Sequence, residues 1–285
     1  MQLLKRLKPR SPIRDDLAHS HGAPALELRN LSVHFGEIAA LENVSLRVEK
    51  GQRVAVVGPN GAGKSTLFNV IAGVLPASSG DLLVHGHAPS RHICIAYVTQ
   101  SYEVDWSFPV SSWDVVMMGR AGRLGLMRRP GPRDRQLAEQ SLATVGLSDL
   151  ATRQIGELSG GQRQRLFIAR ALAQEAEVVL LDEPLAGLDL PSQEQIINIL
   201  DDLKKRKVTV LFATHDLDLA SERFDKILLL NRRLIAFGNR DTALTAQNLA
   251  QAYGGHVQLV ETAEGKVVVG DTGGHHGHDA EGRHG

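Results

Sequence analysis

The run Gly58-Pro-Asn-Gly-Ala-Gly-Lys64-Ser65 constrains this chain more than any other feature. It follows Arg53-Val-Ala-Val-Val57, an apolar run that reads as a buried strand, and precedes Ser65 to Ala72, which has helical character. A strand that feeds a glycine loop and then a helix turns its backbone N–H groups inward, at a helix N-terminus where the dipole favours anions. Such a junction binds phosphate, and its Gly-x4-Gly-Lys-Ser spacing arises by composition alone in on the order of one chain in a hundred. Lys64 is expected to reach the terminal phosphates of a polyphosphate as a compact charge, and Ser65 to place its hydroxyl on Mg²⁺.

The rest of the chain alternates in the same way. Short β-like runs are predicted at Leu26 to Phe35 and Glu42 to Val48, and further strands at Ile93 to Val98, Val178 to Leu181, Val208 to Ala213 and Lys226 to Leu230. Arg233 to Phe237 should pair after a turn at Asn231. Trp113 to Gly156 shows no strong strand and carries Met117, Met118, Leu137, Leu142 and Val145 at mixed helical spacings, so it reads as an inserted helical lobe. The fold class is α/β, and 42% hydrophobic residues in 285 provide for one large domain with lobes or for two small ones.

Charge and cysteine content narrow the function. Lys plus Arg equals Asp plus Glu at 32 each, so there is no global attraction to nucleic acid or anionic lipid. The single cysteine, Cys94, excludes an intrachain disulfide and reads as an inert core residue. No apolar run approaches the roughly 18 residues that span a bilayer, so a soluble chain is expected. The basic opening to about Ala25 lacks the apolar stretch and cleavage site of a secretory signal, and the end from Gly273, rich in Gly and His, cannot bury a core. Both ends are expected to be loose.

Five further groups point to the chemistry. Asp182 follows four apolar residues, so it emerges at the carboxyl end of a buried strand, where open α/β sheets hold ligands, and an acidic residue there completes a Mg²⁺ site. Glu183 is placed to polarise an attacking water. Gln100 ends the Ile95 to Thr99 strand with an amide able to touch a metal's water shell, and His215 ends the Val210 to Thr214 strand at the same crevice. Leu158-Ser-Gly-Gly-Gln162 makes a second anion site, from Ser159 and the Gly160 and Gly161 amides at the front of a helix. One chain thus has two phosphate-binding surfaces, and two copies arranged head to tail in a twofold dimer could each lend the second surface to the other's first.

These segments, in this order, resemble the ATP-binding subunits of ABC transporters over roughly residues 26 to 255. The resemblance implies the P-loop NTPase fold of that family, with an N-terminal antiparallel β subdomain, a helical subdomain at about 101–170 and an ATPase domain at 26–255. A 1–25 extension would precede it, and a β-like 256–271 segment and a Gly/His-rich 272–285 tail would follow. Gly58, Pro59, Asn60, Gly61, Ala62, Gly63, Lys64, Ser65 and Thr66 match the Walker A loop. Gln100 matches the Q-loop, and Ser159, Gly160, Gly161 and Gln162 the signature. Asp182 stands for the Walker B carboxylate, Glu183 for the catalytic base, Asp189 for the D-loop aspartate and His215 for the switch histidine. Phe35 stands where the family stacks a ring on adenine, although a lone aromatic there could equally be core. Of these, Ser65, Gln100 and Asp182 would hold Mg²⁺.

The family implies ATP and Mg²⁺ as cofactors and a homodimer in the ATP-bound state. It further implies integral membrane permease subunits, a solute-binding protein reached through the permease, and a peripheral place on the cytoplasmic side of the plasma (inner) membrane, with no nucleic acid. Ser101 to Val110 lies where permeases dock, and Trp106 and Phe108 suit such a surface, with packing inside the lobe as the competing reading. Val104 to Val110, Asp114 to Arg120 and Asn248 to Gly254 are similar to importers of manganese, zinc and iron. His275, His276, His278 and His284 offer imidazoles to a loosely held metal. DNA-repair ABC ATPases carry a long coiled-coil insertion and ribosome-acting ones usually two cassettes, and this chain has neither. A nucleotide-dependent scaffold without turnover is disfavoured by Glu183 and His215.

Overall fold

In the computed structural model, residues 22–88, 94–99, 105–124 and 129–254 are described, together with the backbone of two further strands, Val257–Thr262 and Gly265–Gly270. Three strands open the fold as an antiparallel sheet: β1 (Leu26–Phe35), β2 (Ile38–Val48) and, after β3 (Arg53–Val57) and helix α1 (Lys64–Ile71), β4 (Ser79–Val84). β1 lies in the middle, with Leu26 opposite both Val48 and Val84, and Leu28 opposite both Leu46 and Leu82. This register turns the apolar set of each strand to one side.

The second sheet carries the site. Its other strands are β5 (Ile95–Val98), β6 (Val178–Asp182), β7 (Thr209–Thr214), β8 (Lys226–Asn231) and β9 (Arg233–Gly238), in the order β5-β6-β7-β3-β8-β9. All pair in parallel except the β8–β9 hairpin. β3, β6 and β7 are buried at every residue, as strands covered on both faces must be.

The period-two alternation of these strands separates two cores. Val54, Val56, Val178, Leu180, Leu211 and Ala213 face α1 and the antiparallel sheet, where they meet Leu67, Phe68 and Ile71. Val179, Leu181, Val210 and Phe212 face the opposite way, onto α5 (Gly160–Ala173) and α6 (Leu190–Lys205). Each fully buried aliphatic or aromatic side chain here contributes roughly 1.5–3 kcal/mol. A third cluster, with Ala55, Val57, Ile227 and Leu229, is covered by α7 (Leu217–Arg223), α8 (Arg240–Ala243) and α9 (Ala246–Tyr253).

Between β5 and β6 lie α2 (Ser112–Met118), α3 (Ala121–Leu124), α4 (Pro132–Thr144) and α5. α2 and α4 pack against α5. Buried Arg120 ties this lobe together: its guanidinium donates to Asp134 at 2.9 Å, to the Ala173 carbonyl at 2.7 Å and to Glu175 at 2.8 Å. An unpaired arginine at this depth would be costly, and three acceptors satisfy it. Trp106 also turns into the lobe, edge-on to Phe167 with Arg163 above its ring at 4.2 Å, whereas Phe108 remains 58% exposed. Cys94 is buried, and burial, with the nearby Glu177 charge, pushes its thiol up to about 12, in accord with an inert core residue. Among the described residues no helix is long and apolar enough to cross a membrane.

Candidate functional site

β3 ends at Val57, and the loop from Gly58 to Gly63 turns the chain back into α1. Gly63 is the N-cap with φ 95°, and a Cβ there would meet the Ala40 carbonyl oxygen at 2.6 Å and Leu41 at 2.7 Å, so glycine is required twice over. No side chain caps this helix, which leaves its first-turn N–H groups directed at the loop's mouth. The β8–β9 turn braces the loop from behind, where the Arg232 N–H donates to the Ala62 carbonyl at 2.8 Å.

Charged groups gather around that mouth. The buried Lys64 ammonium donates to the Gly58 carbonyl at 2.8 Å and the Pro59 carbonyl at 3.3 Å, and lies 3.6 Å from the Glu183 carboxylate. Ser65 and Thr66 occupy the first turn of α1, where the Ser65 hydroxyl bonds the Asp182 carboxylate. Asp182 closes β6 and is 6% exposed; burial pushes its carboxyl above the ordinary range, against the bonds from Ser65 and Tyr97 and the Lys64 charge. Glu183 follows with φ 47°, a left-handed backbone uncommon outside glycine, and its N–H donates to the Ala213 carbonyl at 3.2 Å. That twist redirects the chain so that Asp182 and Glu183 serve different neighbours. Exposed His215, just past β7, shares a cleft of about 180 Å³ with Glu183, Ala186, Gly187 and Gln193.

A second group sits apart. Ser159 caps α5, its hydroxyl accepting from the Gln162 N–H at 3.3 Å while the Gln162 amide oxygen accepts from the Ser159 N–H at 2.9 Å. Ser159 and Gly160 are exposed, and buried Gly161 abuts Ser192 of α6. Asp189 caps α6 by accepting from the Ser192 N–H at 3.2 Å, and the Ser192 hydroxyl, then that N–H, hold its carboxyl below the usual range. Phe35, at the end of β1, is 53% exposed. Contacts join Lys64, Ser65, Asp182 and Glu183 in one group, with His215 added through the cleft at Glu183, and Ser159 to Gln162 stand at the start of α5 near Asp189, on the sheet face opposite α1. Gln100, the Ser101 to Val104 segment, residues 1–21 and residues 271–285 with the tail histidines lie outside the described residues.

Tyr97 belongs to the first group and no motif pointed to it. Its hydroxyl donates to Asp182 Oδ2 at 3.1 Å, and burial, then the Asp182 charge, raises its own titration well above the usual tyrosine value. The only signal was a lone tyrosine in an otherwise aliphatic strand.

Residues 41–186 match the family model described as ABC transporter. The chain is 45% identical over 237 residues to the manganese transport system ATP-binding protein MntB of Bacillus subtilis, covering 83% of this chain and 95% of that protein. It is 43% identical over 236 residues to the zinc transport system ATP-binding protein TroB of Treponema pallidum, covering 82% and 89%. Among solved structures it is similar to the ADP conformation of an ATP-binding cassette of an ABC transporter, with TM-score 0.71, 28% identity and coverage of 81% of this chain and 98% of that one. The sheets and helices described above are those of such cassettes.

Proposed function

This chain belongs to the ABC transporter family as an ATP-binding subunit and ATPase that works with membrane permease components, and on that premise we propose that it powers entry of a transition-metal ion, manganese or zinc foremost. One observation carries the hydrolytic part: Lys64 and Ser65 after β3, and Asp182 and Glu183 at the end of β6, meet at the carboxyl edge of one parallel sheet. The cargo rests on the two relatives, whose names state manganese and zinc and which align over most of their length.

In this reading Lys64 and the N–H groups of Gly58 to Thr66 hold the β and γ phosphates, and Phe35 stacks on adenine. The hydroxyl of Ser65 and the carboxylate of Asp182 are hard oxygen donors near enough for Ser65 to lower the Asp182 titration, a set that fits Mg²⁺, with Gln100 as a third member. When bound, Mg²⁺ supplies neutralisation of phosphate charge. Glu183 orients the attacking water and accepts its proton, and His215, across the same cleft, hydrogen-bonds the terminal phosphate. Ser159 to Gln162 and Asp189 cover the nucleotide held by a second copy, so the active form is a twofold dimer. The subunit lies on the cytoplasmic side of the membrane, and a solute-binding protein delivers the ion to its permease.

Glu183→Gln should lower ATP turnover by about a hundredfold or more while leaving an ATP-bound dimer visible by size-exclusion chromatography. In cells lacking this subunit, the wild-type gene should restore uptake of radioactive Mn²⁺ or Zn²⁺ and the Gln variant should not. Restoration of neither by a chain that hydrolyses ATP normally would overturn the metal cargo.

A further inference from the structure

We propose that Tyr97 is a positioning residue that holds the Asp182 carboxylate in the orientation needed for Mg²⁺–nucleotide binding. The inference rests on reading Asp182 as the magnesium-directed carboxylate, and goes one step behind it.

Two hydroxyls serve Asp182, and they differ in what holds them. Ser65 lies in the first turn of the phosphate helix, exposed at the mouth of the loop, where its oxygen is available to a ligand. Tyr97 comes from the other side. Its strand, β5, pairs with β6 in register, Tyr97 opposite Leu180 and Val98 opposite Leu181, so its Cα is set by the same ladder that places Asp182. Its ring is pinned edge-on against Phe68 of α1, with centroids 6.1 Å apart and planes at 87°. Phe68 is itself fully buried. Backbone pairing and ring packing therefore aim one hydroxyl at Oδ2, at 3.1 Å.

A phenol donating to a carboxylate makes a charge-assisted bond, stronger than a neutral one and directional. With Oδ2 engaged, the carboxylate plane cannot rotate freely about its last torsion, and its orientation no longer depends on Ser65. This matters because a carboxylate at 6% exposure has little water to replace a missing donor. The contacts of Tyr97 also join three elements that must agree for the nucleotide to bind: α1 through Phe68, β6 through Asp182, and β5 itself.

Tyr97→Phe removes the hydroxyl and keeps the ring on Phe68. The measurement is the thermal midpoint of the full-length protein with ATP as Mg²⁺ is titrated, alongside the ATPase rate over the same range. We expect the Mg²⁺ concentration for half-maximal stabilisation by ATP to rise roughly ten- to a hundredfold, the size of one lost hydrogen bond to a charged group. The ligand-free midpoint should fall by only a few degrees, since one hydrogen bond but no packing is lost. An unshifted Mg²⁺ requirement in Tyr97→Phe overturns the inference. So does an unshifted requirement there combined with a shifted one in Tyr97→Leu, which would assign the role to ring packing alone. Asp182→Asn separates the premise: a wild-type Mg²⁺ requirement in that variant would overturn the reading of Asp182 itself.

Discussion

The N-terminus of α1 and the N-terminus of α5 both follow glycine-bearing turns, yet they are finished differently. α1 begins at a left-handed glycine with no side-chain cap, beside a buried lysine and two carboxylates. α5 begins at Ser159, reciprocally capped with Gln162, exposed, and bordered by Leu188 and Ser192. The one cation in its first turn, Arg163, is occupied by the Gly156 carbonyl at 2.9 Å and the Trp106 ring. An uncapped end with a lysine and carboxylates of its own can bind and react a polyphosphate; a self-capped end whose one first-turn cation is already engaged can only cover one. The helices that carry the two ends pack on opposite faces of the same sheet, and the proposed twofold dimer would bring the capped end of each copy to the uncapped end of the other.

The largest effect that tests this difference comes from mixing variants. Lys64→Ala and Ser159→Arg should each lower ATP turnover by about a hundredfold or more when alone. Mixed in equal amounts they should recover roughly a quarter of wild-type turnover, because half of the dimers would be mixed and each mixed dimer would hold one intact site of its two. No recovery from two folded variants would break the reading of α5 as a cover supplied by a partner.

Smaller effects sharpen what the capped end is made of. Gly161→Ala would drive a methyl to 2.5 Å from Ser192 Oγ and 2.7 Å from its Cβ, whereas at Gly160 the nearest atom, on Leu188, is 3.6 Å away. Urea unfolding should show Gly161→Ala destabilised by about 1–3 kcal/mol and Gly160→Ala within about 0.5 kcal/mol of wild type. Equal midpoints would mean that the α5–α6 contact does not constrain this end. Ser159→Ala, which only removes the cap, should cost about 1 kcal/mol by the same measurement.

Much of this was legible in local spacing. The strand, loop and helix around Lys64, the buried strand before Asp182, the β8–β9 hairpin and the family followed from runs of a few residues. β4 was not, because Ser79-Gly-Asp opens it with three exposed polar or small residues, and only pairing with β1 makes it a strand. β2 begins at Ile38 rather than Glu42, since the turn at Gly36 lets Ile38 pair with Phe35 at once. The sequence leaves Trp106 between a docking surface and lobe packing, because it cannot show that Phe167 and Arg163 pack against it. Tyr97 was invisible for the same reason: its partner stands 85 positions away.

By itself, then, the sequence determined the fold class, the phosphate loop and the family, because each is written in short-range patterns of glycine, charge and apolar period. Only the tertiary structure decided which site residues share a cleft, that α1 and α5 pack on opposite faces of a sheet, and that a tyrosine from β5 donates to Asp182. Those depend on strand order and on which face each residue takes, and these are settled by burial of the whole core rather than by neighbours along the chain.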